Sequence, residues 1–205
     1  MDEYKLFDDE CGDSFNIDEQ YFTEKKFYKL ELQETELREK EFYKCEFIKC
    51  NFLKSKLYNC DFEDCSFENC DISLWKLKNT KLIDVVFTEC KLIGVDWTEV
   101  LKPLKANFYN SILNNNSFYA LNLNLIKMIN CNLHDVDFTD ANLTKAKFCS
   151  SDLNGSIFKN NTLIQADFSD AKNYYLNPTE NKIKKAVFTL PEALSLLSSF
   201  DIVIK

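Results

Sequence analysis

The 205-residue sequence is poor in the residues that most enzyme sites require: it has one histidine, three glycines and three prolines. A single histidine excludes any site that needs two and argues against a Ser-His-Asp triad. The histidine, His134, directly follows the apolar residue Leu133 and is expected to face solvent. The few glycines leave no glycine-rich loop to hold a phosphate. We therefore expect a protein that is not an enzyme and has no cofactor.

Long apolar runs are also missing from the sequence. No stretch approaches the ~20 apolar residues that cross a bilayer. The sequence opens with the acidic run Met1–Glu10 rather than a secretory signal. We therefore expect a cytoplasmic protein without a membrane partner. A net charge of −8 also argues against direct nucleic-acid binding through phosphate contacts.

What the sequence does contain is a large apolar residue at every fifth position, here called the centre of a five-residue unit. Centres run from Phe22 to Trp97 and, after one slip, from Phe108 to Phe168. A step of five turns a side chain by roughly 140° on an α-helix and alternates faces on a strand. Either element would expose many centres. A chain that turns one corner per unit, always in the same sense, buries them all as a coil.

The residue two positions before the centre is mostly small, which leaves room for the centres in a narrow interior. Seven of the nine cysteines occupy this position: Cys45, Cys50, Cys60, Cys65, Cys70, Cys90 and Cys131. We interpret them as compact core residues that stack in successive coils. A reducing cytosol argues against disulfides, and a single column cannot converge on a tetrahedral metal ion, so no metal site is expected.

The residue two positions after the centre is Asn, Asp or Gly in about half of the units. These residue types tolerate turn dihedrals, which predicts a corner at this position.

Units such as Ala141-Asn142-Leu143 and Ala166-Asp167-Phe168 resemble the consensus of the pentapeptide-repeat proteins. The resemblance implies an all-β fold, a right-handed quadrilateral parallel β-helix with four units in each coil. The units in this sequence would form about seven coils. At ~4.8 Å per coil the rod would be roughly 35 Å long.

The register of the repeat divides the chain into three segments. We expect residues 1–19 to form an acidic N-terminal cap, residues 20–171 to form the β-helix, and residues 172–205 to form a C-terminal module. An extra residue and Pro103 predict a slip or bulge near residues 99–106. Trp75 occupies a position where a small residue belongs, which predicts a local bulge or an outward indole.

The C-terminal segment changes pattern. Pro191 suits the first turn of a short helix with a stripe of leucines, and Asp201–Lys205 is expected to form a strand. This tail resembles the module that pairs two subunits in the Qnr-type quinolone-resistance proteins and the microcin B immunity protein. The resemblance implies a homodimer with the interface residues Leu190, Leu194, Leu197, Phe200, Ile202 and Ile204. A simple cap on the last coil is the alternative.

Acidic residues are concentrated in the first half of the chain. Residues 1–100 contain 24 acidic and 14 basic residues, whereas residues 101–205 contain 9 and 11. The candidate acidic binding surface comprises Glu41, Glu46, Asp61, Glu63, Asp64, Glu68 and Asp71.

Qnr-type proteins are thought to bind DNA gyrase and topoisomerase IV as a rod that resembles duplex DNA. The resemblance therefore implies a DNA-mimic-like protein that protects these enzymes from quinolones or from a gyrase-poisoning toxin. A DNA duplex of this length carries about twenty negative charges. With a net charge of −8, the protein would match less than half of that charge. The alternative is a non-catalytic structural or interaction scaffold with an unrelated partner.

Overall fold

The computed structural model describes residues 12–200 and residue 202. Over this range the chain winds as a parallel β-solenoid of about eight turns. It has four faces, numbered in chain order from those that carry Phe22, Phe27, Leu32 and Leu37. The quadrilateral β-helix expected from the spacing is confirmed, with about one turn more than the expected seven.

Short parallel strands form faces 1, 2 and 4, whereas isolated bridges join the coils on face 3. Face 1 contains the strands Tyr21–Thr23, Glu41–Tyr43, Asp61–Glu63 and Lys81–Ile83. Face 2 contains Lys26–Tyr28, Glu46–Ile48, Ser66–Glu68, Val85–Thr88, Ala106–Tyr109, Lys127–Ile129, Asp167–Phe168 and Val187–Phe188. Face 4 contains Glu36–Arg38, Lys56–Tyr58 and Lys76–Lys78.

The core is a set of columns in which like stacks on like. Phe47 pairs in register with Phe67, and their rings stack with centroids 4.6 Å apart. On face 4, Phe118 and Phe138 stack in the same way at 5.5 Å. Burying each such centre contributes ~1.5–3 kcal/mol before the entropy of folding is subtracted. The five-residue spacing thus places every centre of the regular coils inside the rod.

Each regular corner has one residue in the left-handed region, two positions after the centre. Asn59 and Asp64, for example, both have a φ of 54°. This conformation costs roughly 1–2 kcal/mol for most residues and less for Asn, Asp and Gly. The expected corner position is confirmed, and residues such as Glu39 and Leu125 also adopt it, with φ of 54° and 67°.

The cysteine columns are part of the core. The seven inward cysteines are free thiols and are buried. Cys70 Sγ accepts the backbone N–H of Cys50 at 3.3 Å, and Cys50 Sγ donates to the carbonyl of Phe27 at 3.4 Å. Burial raises the pKa of Cys131 to about 12. The interpretation of these residues as stacked core thiols is therefore confirmed.

Trp75 points inward, so the expectation of an outward indole or a bulge was wrong. The indole is 1% exposed, and its unit keeps a regular corner at Leu74, which has a φ of 57°. The ring packs among the phenylalanine rings of neighbouring centres, with Phe52 and Phe67 both 5.6 Å away between centroids. The interior at this level is therefore wide enough for an indole in place of a small side chain.

The register slips between Leu101 and Ala106. Leu101 lies beside Lys81, twenty residues earlier, whereas Ala106 lies beside Val85, twenty-one residues earlier. A 3-10 helix, Trp97–Glu99, precedes the slip. The extra residue therefore lies within the range expected from the sequence.

The N-terminal end of the rod is covered by the segment before Tyr21. The ring of Phe15 stacks on Phe22 at 5.2 Å. The ammonium of Lys40 occupies an inward position and donates to the carbonyls of Ile17 and Glu19 at 2.5 and 2.7 Å. The part of the expected cap before Gly12 lies outside the described residues.

At the other end, the ladder passes residue 171, where we expected a separate module to begin. Asp167–Phe168 pairs with Val187–Phe188. The chain then forms a 3-10 helix, Glu192–Phe200. The expected strand Asp201–Lys205 lies outside the described residues except for Ile202, which is exposed and not part of a strand.

Candidate binding surface

The seven candidate acidic residues do not share one face. Four of them, Glu41, Asp61, Glu63 and Asp64, lie on face 1. Glu46 and Glu68 lie on face 2, and Asp71 lies on face 3.

Within the coils formed by residues 21–84, face 1 carries the largest excess of acidic over basic residues. Glu41 and Asp61 are ladder neighbours, so their carboxylates project from successive rungs ~4.8 Å apart. Asp64 and Asp84 follow each other along the corner beside this face. The residues that we call the acidic strip are Glu24, Glu41, Asp61, Glu63, Asp64 and Asp84. Two lysines lie among them: Lys44 between Glu24 and Asp64 along the corner, and Lys81 on the rung next to Asp61.

Sequence reasoning missed Glu24 and Asp84, although their spacing from Asp64, forty and twenty residues, could have placed them in its column. Two of the candidate carboxylates also have partners. Glu63 pairs with Lys81 at 3.2 Å and Asp71 pairs with Lys91 at 3.3 Å. Both pairs are partly exposed, so each contributes little to stability and remains free to exchange partners.

Face 4 of the same coils is basic. Lys56 and Lys76 are ladder neighbours, and Lys78 projects from the same strand as Lys76. Arg38 lies over the ring of Tyr58 at 4.4 Å. The first half of the rod therefore has an acidic side and a basic side, unlike duplex DNA, which is negative all round.

The C-terminal 3-10 helix displays apolar side chains to solvent. Leu190 is 75% exposed and Phe200 is 50% exposed, while Leu194, Leu197 and Ile202 are also exposed. Leu196, on the other side of the helix, packs against the core. The structure thus exposes five of the six residues expected at a dimer interface. The sixth, Ile204, lies outside the described residues.

His134 is part of a polar group on face 3. Its Nε2 lies 3.2 Å from Asp152, which also accepts from Asn173 at 2.8 Å. Partial burial by itself would raise the pKa of Asp152. The hydrogen bonds from Asn173 and His134 outweigh this effect, so the pKa of Asp152 is lowered. The partners of Asp152 in this group are an amide and an imidazole. Among the described residues, no group of His, Cys, Asp and Glu side chains could hold a metal ion.

No helix within residues 12–200 is long and apolar enough to cross a membrane.

A family model described as the pentapeptide repeat region matches residues 40–101 and 102–168. Among solved structures, the chain is similar to full-length QnrB1, a plasmid-mediated fluoroquinolone resistance protein. The TM-score is 0.50 at 15% identity, over 89% of this chain and 90% of that one.

The chain is also similar to HetL from the cyanobacterium Nostoc sp. strain PCC 7120, a pentapeptide repeat protein involved in heterocyst differentiation regulation. The TM-score is 0.49 at 16% identity, over 82% of this chain and 84% of that one. No curated protein matches the chain. At these identities the structural likenesses show the fold alone.

Proposed function

Because the chain belongs to the pentapeptide repeat family, we propose that it is a non-catalytic binding protein whose acidic strip contacts a type II topoisomerase, DNA gyrase or topoisomerase IV. In this role it occupies a surface that the enzyme uses for DNA. It protects the enzyme from quinolones or from a gyrase-poisoning toxin. Such a role requires a cytoplasmic protein, in which the free thiols stay reduced.

The observation that carries this proposal is the acidic strip on face 1. Carboxylates at Glu41 and Asp61 stand on neighbouring rungs, and Asp64 and Asp84 continue along the same edge. The strip sets six carboxylates against Lys44 and Lys81 on a rigid face. Its net negative charge complements a basic surface built to hold phosphates, and such complementarity raises association rates. Because the rod is preformed, little conformational entropy is lost on binding.

The basic side of the rod supports a contact through one face only. Lys56, Lys76 and Lys78 on face 4 would be repelled by a basic partner surface. The same asymmetry favours a second candidate function, an interaction scaffold that binds an unrelated partner. A pull-down that recovers one partner other than a topoisomerase would favour this second candidate.

The proposal includes a homodimer through the C-terminal helix. Leu190, Leu194, Leu197 and Phe200 form a self-complementary apolar patch, which is what a two-fold contact requires. Two copies paired in this way would place the acidic strips at the two far ends of the rod.

The test of the proposed function is a supercoiling assay with purified gyrase and a quinolone. We expect the protein to restore supercoiling and the triple variant Glu41→Gln, Asp61→Asn, Asp64→Asn to lose most of this effect. A matched variant, Glu31→Gln, Glu34→Gln, Glu89→Gln, changes the net charge equally but lies on face 3 and its two corners, away from the strip. It should protect as well as the parent protein.

Absence of rescue, together with absence of gyrase and topoisomerase IV binding, would contradict the proposal. Equal loss in both triple variants would show that net charge rather than the strip is responsible.

A further inference from the structure

The corner between faces 1 and 2 lacks its corner residue in one coil. The edge between faces 1 and 2 carries a residue with positive φ in each regular coil: Glu24, Lys44, Asp64, Asp84, Leu125, Lys145, Gln165 and Lys185. The coil between Asp84 and Leu125 has none, since no described residue between Gly94 and Asn110 has a positive φ. There the chain runs from the buried Leu104 through Lys105 directly to the inward Ala106 and does not form the usual turn.

Because the turn is missing, two backbone groups in the neighbouring coils have no backbone hydrogen-bond partner. In a regular corner the N–H of the corner residue donates to the coil above, as Asp64 does to Ile83 at 3.0 Å and Leu125 to Thr144 at 3.0 Å. In the coil below the missing corner, the backbone N–H of Val85, and not that of Asp84, donates to the carbonyl of Lys105. The Asp84 N–H therefore makes no backbone hydrogen bond, and neither does the Asn124 carbonyl above the gap.

The missing corner is also an open cavity of about 390 Å³. Its lining includes Pro103, Leu104, Leu125 and Ile126 on the apolar side. Asp84 and Asn124 stand two rungs apart, or ~9.6 Å, which leaves room for one extended chain between them.

The charges near the cavity select the sign of an occupant. Asp84 and Lys105 are the charged residues of the lining and offset each other. Beyond Asp84, the acidic strip continues along face 1 with Asp64 and Asp61. A segment that supplies the missing rung runs across the rod axis, so basic side chains beside its apolar residue reach down the rod toward Asp84 and, one rung further, Asp64.

We propose that the missing corner is a docking slot for one extended segment of a protein partner, in which an apolar side chain is flanked by basic ones. The backbone of the segment supplies the absent rung by accepting from Asp84 N–H and donating to the Asn124 carbonyl. Its apolar side chain packs on Leu104 and Leu125, and its basic side chains reach toward Asp84 and Asp64 at the near end of the acidic strip. This inference rests on the proposed function, because it identifies the kind of segment that the acidic strip binds.

The test uses the ¹⁵N-labelled full chain and short peptides, so it does not depend on a topoisomerase. The probe is a blocked peptide of alternating lysine and leucine, with a glutamate-leucine peptide and a centrally N-methylated lysine-leucine peptide as controls. We expect saturable shifts at the amides of Asp84, Leu125 and Ile126. The N-methylated peptide should bind about tenfold more weakly, because a backbone hydrogen bond of ~0.5–1.5 kcal/mol is lost.

A closed-corner variant provides the matched protein control. Deletion of Lys102 and Pro103 with insertion of an asparagine after Lys105 restores a regular unit and fills the slot. Binding should weaken about tenfold, since both backbone groups are then paired within the chain. If this variant does not fold, Leu125→Asn removes the apolar wall while keeping a residue that tolerates positive φ. Leu74→Asn makes the same change at a corner outside the cavity and should leave binding unchanged.

Amide chemical-shift changes that are spread evenly over the acidic strip, and that persist in the closed-corner variant, would contradict the docking slot. They would leave the proposed function intact. Absence of any shift at the slot amides would also contradict the docking slot. Slot binding without gyrase rescue would instead refute the proposed function and leave the slot as a site for another partner.

Discussion

The indole of Trp75 packs edge-on against the ring of Phe67, with centroids 5.6 Å apart. It makes a second edge contact with Phe52, also at 5.6 Å. The ring fills the interior at a position that most coils give to a small residue. Its Nε1 is buried without a hydrogen-bond partner.

Trp75→Ala should therefore destabilise the protein by ~3–5 kcal/mol, because it opens a cavity among aromatic rings. Trp75→Phe should cost clearly less, since it keeps most of the volume and removes the unpaired N–H. Urea unfolding followed by circular dichroism measures both. Equal losses for the two variants would show that volume at this position is unimportant.

The sequence predicted the parts of the fold that repeat. Period five located the buried centres, the small inward residues and the corners, because each unit meets the same neighbours twenty residues away. Trp75 could not be placed in this way. Its inward position depends on how the rings of neighbouring coils, such as Phe52 and Phe67, pack around it, and periodicity does not contain this information.

The candidate site was less predictable than the fold. A run of acidic residues along the chain is distributed over three faces once the coil forms, so sequence proximity is a poor guide to a shared surface. Asp84 joins the strip through its column, whereas Asp71 turns away and pairs with Lys91. The missing corner follows from how the chain absorbs one extra residue, and sequence could locate that residue but not its path.

Lys40 fastens the N-terminal segment to the first coil. Its ammonium binds the carbonyls of Ile17 and Glu19, and the side chain is buried. Lys40→Met keeps the apolar stem and removes hydrogen bonds worth ~1.5–3 kcal/mol to a charged donor.

We expect amide exchange in residues 13–19 of this variant to accelerate at least about tenfold, because ~1.4 kcal/mol corresponds to that factor. The coils further along the rod should be unaffected. Lys56→Met is the control, since Lys56 is exposed on face 4. Unchanged exchange in Lys40→Met would show that the packing of Phe15 alone holds the segment.

Thiol reactivity should separate the outward cysteine from the core columns. Cys149 is half-buried, whereas Cys131 is buried in the core. Burial raises the pKa of both thiols, and the nearby Asp167 adds to the shift at Cys149. A raised thiol pKa lowers the fraction of reactive thiolate at a given pH, so alkylation should speed up as the pH rises.

In a Cys11→Ser background at about pH 8, we expect iodoacetamide to modify Cys149 first and the inward cysteines only as the protein unfolds. Asp167→Asn should accelerate the reaction of Cys149 by lowering its pKa. Peptide mass spectrometry over time measures both effects. Early modification of Cys131 would contradict the assignment of that column to the core.

The apolar patch on the C-terminal helix predicts the oligomeric state. Leu194 and Leu197 are exposed, and in the proposed dimer they are buried against a second copy. Leu194→Asp with Leu197→Asp would place charges without partners in that contact, which costs several kcal/mol. We expect the mass measured by light scattering to fall by half, to the 24.0 kDa of one chain.

Ile112→Asp with Ile157→Asp is the matched control for this dimer prediction. Both residues are at least partly exposed and occupy a position that Asp137 and Asp152 fill in other units, so the fold should tolerate the change. The control should keep the mass of the parent protein. A parent protein that is already monomeric, or a tail variant with unchanged mass, would show that the helix only caps the last coil. In that case the two acidic strips would not be joined in one molecule, and any partner would meet a single strip.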